Sequence, residues 1–168
     1  MSIFLLSNSC IFDSEDSSTQ TYLFEVEYIN FAWGYQHGGF YIDKTGNVFR
    51  YKYGLNDDPW KPASYDHFSG DELAEKYRHS KTLCDKIDHN TLQKQRRLIF
   101  SAAEGSYSDS TNVGNDGGGL SYIGYIYESE SDSYRPIILE LKGDWEYKNE
   151  SEAAKSMVTW LKTVCQND

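Results

Sequence analysis

Two runs of alternating residues limit what this chain can fold into. In TYLFEVEYIN, Tyr22, Phe24, Val26 and Tyr28 alternate with Leu23, Glu25, Glu27 and Ile29. Side chains two apart share a face of a strand, so the segment is a strand with one apolar and one mixed face. In GGFYIDKTGNVFRYKY, Phe40, Tyr41 and Ile42 run into Asp43-Lys44-Thr45-Gly46-Asn47, after which Phe49, Tyr51 and Tyr53 alternate with Val48, Arg50 and Lys52. Gly46 takes positive φ without steric cost, which makes this a hairpin with a short bulged turn. Three such strands need a layer to cover them.

Residues 54–70 hold two of the three prolines and read as loop. Ser69-Gly70-Asp71-Glu72 fits a capping box, with Leu73 and Tyr77 facing one way behind it. Asn90-Thr91-Leu92-Gln93 is a second cap-like start, for a helix with Leu92, Ile99 and Ala103 on one side that stops at Gly105. Residues 105–119 read as a long flexible loop. Two strands follow, SYIGYIYESE and YRPIILELKG, joined by a polar tip at Ser129 to Ser133. A last helix opens at Asn149, with Glu152 completing the cap, and carries Ala153, Met157, Trp160, Leu161 and Val164 as its apolar stripe. Segregated elements of this kind imply an α+β fold: a mainly antiparallel sheet of about five strands, helices inserted in the middle, and one C-terminal helix packed on the sheet. At 168 residues this is one domain, residues 21–168, behind an acidic tether or signal remnant, residues 1–20.

Charge narrows the partners. The formal net charge is -10. Nucleic acids and acidic membranes are bound by cations, so neither is an expected partner; a basic protein is. No Lys or Arg precedes Lys44, whereas Lys76 to Arg97 carries seven basic residues against Asp85 and Asp88. That run reads as a solvated helix face.

Cys10, Cys84 and Cys165 leave at least one cysteine unpaired, at spacings that fit no zinc or redox motif. Cys84 and Cys165 are a disulfide or two buried thiols. Leu5-Leu6-Ser7-Asn8-Ser9-Cys10 resembles the end of a lipoprotein signal, without a basic n-region or a full apolar run. Lipidation at Cys10 would put the chain in the cell envelope and give it its one membrane attachment; without it the expected location is the cytoplasm.

Catalytic spacing is lacking. His37, His67, His79 and His89 all read as loop or helix-edge positions, none at metal-ligand spacing. Gly114 to Gly119 lacks the lysine and the strand–helix context of a phosphate loop. Asp57/Asp58 and Glu128/Glu130 have no partner that would split their acidities. No cofactor and no metal is expected. The aromatic residues are more suggestive. Trp33, Tyr35 and His37 alternate near Gly34, Gly38 and Gly39; Trp60 lies in the proline loop; Asp144-Trp145 follows the last strand. These six are the candidate ligand-binding residues, as rings on loops at one end of a sheet.

FAWGYQHGGFYIDKTGNVFRY and NVGNDGGGLSYIGYIYESESDSYRPIILELKGDWEYKNESEAAKSMVTWL resemble a set of uncharacterised bacterial proteins, many of them putative lipoproteins of Bacteroidetes-type genomes. The shared pattern is Trp-Gly, then Gly-x-x-x-Asp-x-x-Gly-Asn-Val, then Gly-Asp-Trp before a Trp-Leu helix. The resemblance implies an envelope location and brings no activity with it. The expected function is a non-catalytic protein-binding domain, an inhibitor or immunity-type protein for a basic partner. Two alternatives stand beside it: a hydrolase pairing a histidine with Asp66, Asp116 or Asp144, and a carbohydrate-binding module using Trp33, Trp60 and Trp145.

Overall fold

The computed structural model describes residues 20–32, 34–80 and 82–166. Their order is β1 Tyr22–Asn30, β2 Gln36–Asp43, β3 Asn47–Tyr53, β4 Phe68–Ser69, α1 Gly70–Lys76, β5 Thr82–Lys86, α2 His89–Ala103, β6 Thr111–Asn112, β7 Gly119–Glu128, β8 Ser133–Gly143, β9 Trp145–Lys148 and α3 Glu152–Leu161. The α+β, antiparallel character and the C-terminal helix are as the sequence implies. The strand number is not: the sheet has nine strands, in the order β5-β3-β2-β1-β7-β8-β9-β6 with β4 on β8. The five long strands are the legible ones. The additional four are two to five residues long, and none contains enough alternation to announce itself.

Local chemistry explains the main elements. Asp43 accepts from the backbone N–H groups of Thr45 and Asn47, and Gly46 has φ +84°, which closes the β2–β3 turn. Ser69 and Glu72 form the capping box of α1. The other two caps differ from expectation. Asp88, rather than Asn90, caps α2 through the Thr91 N–H, and Ser151, rather than Asn149, caps α3 through the Ala154 N–H. Asn149 instead is buried and donates to the Ala102 carbonyl at 2.7 Å, tying the start of α3 to the end of α2.

The sheet is covered on both faces. Phe24, Val26, Ile42, Val48, Tyr122, Ile137 and Leu139 pack with α2 and α3, and Trp160 meets Phe24 edge-on at 5.1 Å. On the other face Tyr51, Tyr53, Ile123, Tyr125 and Tyr134 pack with Leu73 and Tyr77 of α1 and with Phe68. An irregularity between Tyr22 and Phe24 turns Tyr22 to this second face, where its ring contacts Tyr41, Tyr77 and Tyr134. The Lys76–Arg97 run is not one solvated face. It spans the end of α1, edge strand β5 and most of α2, and Lys76 itself is buried.

Cys84 on β5 and Cys165 beyond α3 form a disulfide, with Cα atoms 5.6 Å apart. No helix among the described residues is long and apolar enough to cross a membrane.

Candidate functional site: a closed ionic cluster and an open aromatic edge

The mixed face of β1 is buried, so its two glutamates need partners. Glu25 is fully buried. It accepts from the hydroxyls of Tyr51 and Tyr125 and from the Lys76 ammonium, whose Nζ lies 2.9 Å from Oε1. The same ammonium lies 2.6 Å from Glu27 Oε1 and 4.1 Å over the Trp60 ring. Burial and the field of Glu25 hold the hydroxyls of Tyr51 and Tyr125 well above the usual tyrosine range, so both remain neutral donors.

His37 continues the chain of charges. Its Nε2 is 2.9 Å from Glu27 Oε1 and its Nδ1 is 2.6 Å from Asp58 Oδ2. Burial alone would lower its pKa from 6.5; the hydrogen bond and field of Glu27, with the hydrogen bond of Asp58, outweigh both burial and the repulsion of Lys76, and the net direction is upward. For Glu27, burial pushes upward, but Lys76 and then His37 bring the carboxyl to about 2. Asp58 is held in turn by the Tyr35 hydroxyl and by the Trp60 backbone N–H at 2.7 Å. The cluster therefore comprises three carboxylates and two cations, with tyrosine hydroxyls and a backbone N–H on the remaining lone pairs.

This arrangement decides what His37 can do. Ionised carboxylates only accept hydrogen bonds. With a carboxylate at each ring nitrogen, the form that carries a proton on both nitrogens is favoured, in line with the upward direction of the His37 pKa. In that form neither nitrogen offers the lone pair that a general base requires. A hollow of about 660 Å³ is bordered by Gly38, Phe40, Arg50, Lys52 and His37, but the His37 side chain has no exposed surface. The cluster is a structural ion network that fastens the 54–66 loop, through Asp58, to β1, β2 and α1.

His37 thus lies inside β2, not in a loop. It pairs with Glu27 and Asp58; Asp66, Asp116 and Asp144 are none of them its partners. Asp144 acts elsewhere. Its carboxylate accepts from the N–H groups of Gly117 at 2.7 Å and Gly118 at 3.2 Å, stapling the loop before β7 to the β8–β9 turn. Trp60 is half-buried, edge-on to Phe68 at 5.0 Å. Trp145 is 52% exposed on β9. Trp33 and Cys10 lie outside the described residues. Tyr35, Asp144 and Trp145 share one end of the sheet, where Asn30 donates to the Asp116 carbonyl and Gly119 pairs with Gly143. Trp60 faces inward, onto Lys76, so it shares no open surface with Trp145. Among the described residues no group of three or more His, Cys, Asp or Glu could hold a metal.

Glu25, Glu27, Asp58 and Lys76 were not among the candidate residues. The available signal was two glutamates in a strand too aromatic to be half-solvated.

A second feature is the outer edge of the sheet. Residues 106–113 run antiparallel to residues 144–150, through Tyr107 and Asn149, Thr111 and Glu146, and Asn112 and Trp145. Tyr107 and Tyr147 meet at 6.0 Å. Compared with protein-family models, curated proteins and solved structures, the chain matches none.

Proposed function

We propose that this protein is a non-catalytic binding domain for a basic protein partner, acting as an inhibitor or immunity-type protein in the cell envelope. The observation that carries the reading is the contrast between charge inside and charge outside. In the cluster around His37 the ionisable groups are closed on one another, with both nitrogens of His37 engaged by carboxylates; the one other histidine–carboxylate pair among the described residues, His67 and Glu128 at 3.3 Å, lies on the surface. The surplus behind the net charge of -10 lies mostly on exposed residues, where it accelerates encounter with a cationic surface. The Cys84–Cys165 disulfide supports an oxidising compartment. The hydrolase alternative has a histidine–aspartate contact at His37, where both ring nitrogens are already engaged. Among the described residues, the carbohydrate alternative is left with Trp145 as an exposed tryptophan platform, because Trp60 is committed to Lys76 and Phe68.

The test is calorimetric titration of the oxidised full chain against a panel of basic extracellular enzymes, at low and at high salt. Binding that weakens steeply with salt, together with inhibition of the bound enzyme, supports the reading. Turnover of ester, peptide or glycosidic substrates by the chain itself, abolished by His37→Gln, would refute it.

A further inference from the structure

The outer edge of the sheet carries an unpartnered aromatic row in an acidic setting. Trp145 and Tyr147 alternate with Glu146 on β9 and so share a face. That face is the helix-layer side, since Tyr147 pairs with Leu141 and Asn149, next in the row, bonds to α2. Tyr107, which follows α2, lies against Tyr147. Tyr107 is 46% and Trp145 52% exposed. Exposed rings grouped in this way, beside the short outermost strand β6, are unusual for a surface that meets only water.

The charges around the row specify the occupant. Residues 104–118 contain three carboxylates, Glu104, Asp109 and Asp116, and no basic residue; Glu146 and Lys148 alternate onto the opposite face of β9, and Asp144 is held by the N–H groups of Gly117 and Gly118. The C-terminus of α2 points into the same corner; it has no basic residue in its last turn and ends on Glu104. A helix C-terminus carries partial negative charge, so it adds to the carboxylates rather than offsetting them. The other exposed apolar group, Phe31, Leu55 and Tyr65, lacks this setting: residues 54–66 contain three aspartates and one lysine, and Asp58 is already engaged by His37.

We propose that the edge formed by Tyr107, Trp145 and Tyr147 docks a basic protein segment, with an arginine side chain stacked on the Trp145 indole and its neighbours paired to Glu104 and Asp109. Guanidinium groups stack on indole faces and are weakly hydrated, which suits a shallow, half-open site. The inference deepens the binding function proposed above and rests on it.

The experiment uses the oxidised full chain and a short fluorescein-labelled peptide of alternating arginine and glycine, read by fluorescence anisotropy. Wild-type binding should weaken as salt rises. Trp145→Ala should lower affinity about tenfold, and Glu104→Lys with Asp109→Lys at least as much. Each substituted side chain is exposed, and thermal melting checks that the fold is retained. Phe31→Ser with Leu55→Ser, at the other apolar group, should leave affinity within about twofold. If the edge variants bind as wild type while the Phe31/Leu55 variant does not, the docking surface is wrong and the binding reading stands. If the wild-type chain does not bind the peptide at low salt, both are overturned.

Discussion

Replacing Lys76 with methionine tests the energetic logic of the interior. Met keeps the length and most of the volume of the lysine stem, so packing on Trp60 and Tyr77 is largely preserved. What disappears is the charge that Glu25 and Glu27 share, at 2.9 and 2.6 Å. Lys76 is 1% exposed and Glu25 is fully buried, so water cannot replace the ammonium. Removing one partner of a buried ion pair costs about 3–5 kcal/mol, largely because the other charge is stranded. Against a typical stability of roughly 5–15 kcal/mol, that is a large fraction, equivalent to a fall in Tm of roughly 10–15 °C. Urea unfolding followed by tryptophan fluorescence should show the midpoint move to lower urea with an unchanged slope. Adding Glu25→Gln to Lys76→Met should recover much of the loss, since an amide needs no counter-ion: its oxygen accepts from one of the two tyrosine hydroxyls and its NH2 donates to the oxygen of the other. The pH response should steepen as well. In the single variant the carboxylate pair left in the folded state holds a proton that the unfolded chain releases, so stability rises as pH falls from 7 to 5. A Lys76→Met midpoint within 1 kcal/mol of wild type, or no gain from the second substitution, would show that the cluster is solvated and the reasoning wrong.

Three further outcomes follow from the same geometry. In the wild-type chain, the raised pKa of His37 means its contribution is complete below its unfolded value of 6.5 and is lost as pH rises through the folded value. The lowered Glu27 contributes above its unfolded 4.5 and is lost as pH falls toward about 2. As far as these two groups are concerned, urea midpoints measured across pH should peak between those unfolded values, and His37→Gln should flatten the alkaline side. Cys84→Ser with Cys165→Ser opens a loop of 81 residues' separation; thermal melting should show a loss of about 2–4 kcal/mol. Gly39→Ala would place a Cβ 1.9 Å from the Val26 carbonyl oxygen, at a φ of +156°. Either β1 and β2 separate there or the chain does not fold, and the soluble yield and melting curve of the variant report which.

How far the sequence is legible depends on whether a signal is local. The β2–β3 turn and the capping box of α1 are written in neighbouring residues, and both are present. Edge strand β5 and the four-residue β9 are not, because their pairing is dictated by β3 and β8 rather than by their own residues. His37 shows the same limit at the site. Beside Gln36 and Gly38 it has the neighbours of a loop histidine, and its burial comes from Glu27, ten residues before it, and Asp58, twenty-one after it. Lys76 looks like any basic residue at the end of a helix. Only the packing of α1 on β1 reveals it as the counter-ion of two glutamates. Trp145, by contrast, sits next to the turn at Gly143-Asp144, and its open position on a loop-rich end of the sheet could be expected from those neighbours.

The cystine has a topological effect apart from stability. It closes a covalent ring from residue 84 to residue 165 that holds α2, β6 to β9 and α3, while β1 to β3 and α1 lie outside it. The exposed turn at residues 115–117 is within the ring. A protease that nicks this turn therefore releases nothing. The two pieces stay linked through sulfur, and β7 keeps its place between β1 and β8, so cleavage at this end of the sheet need not take the molecule apart.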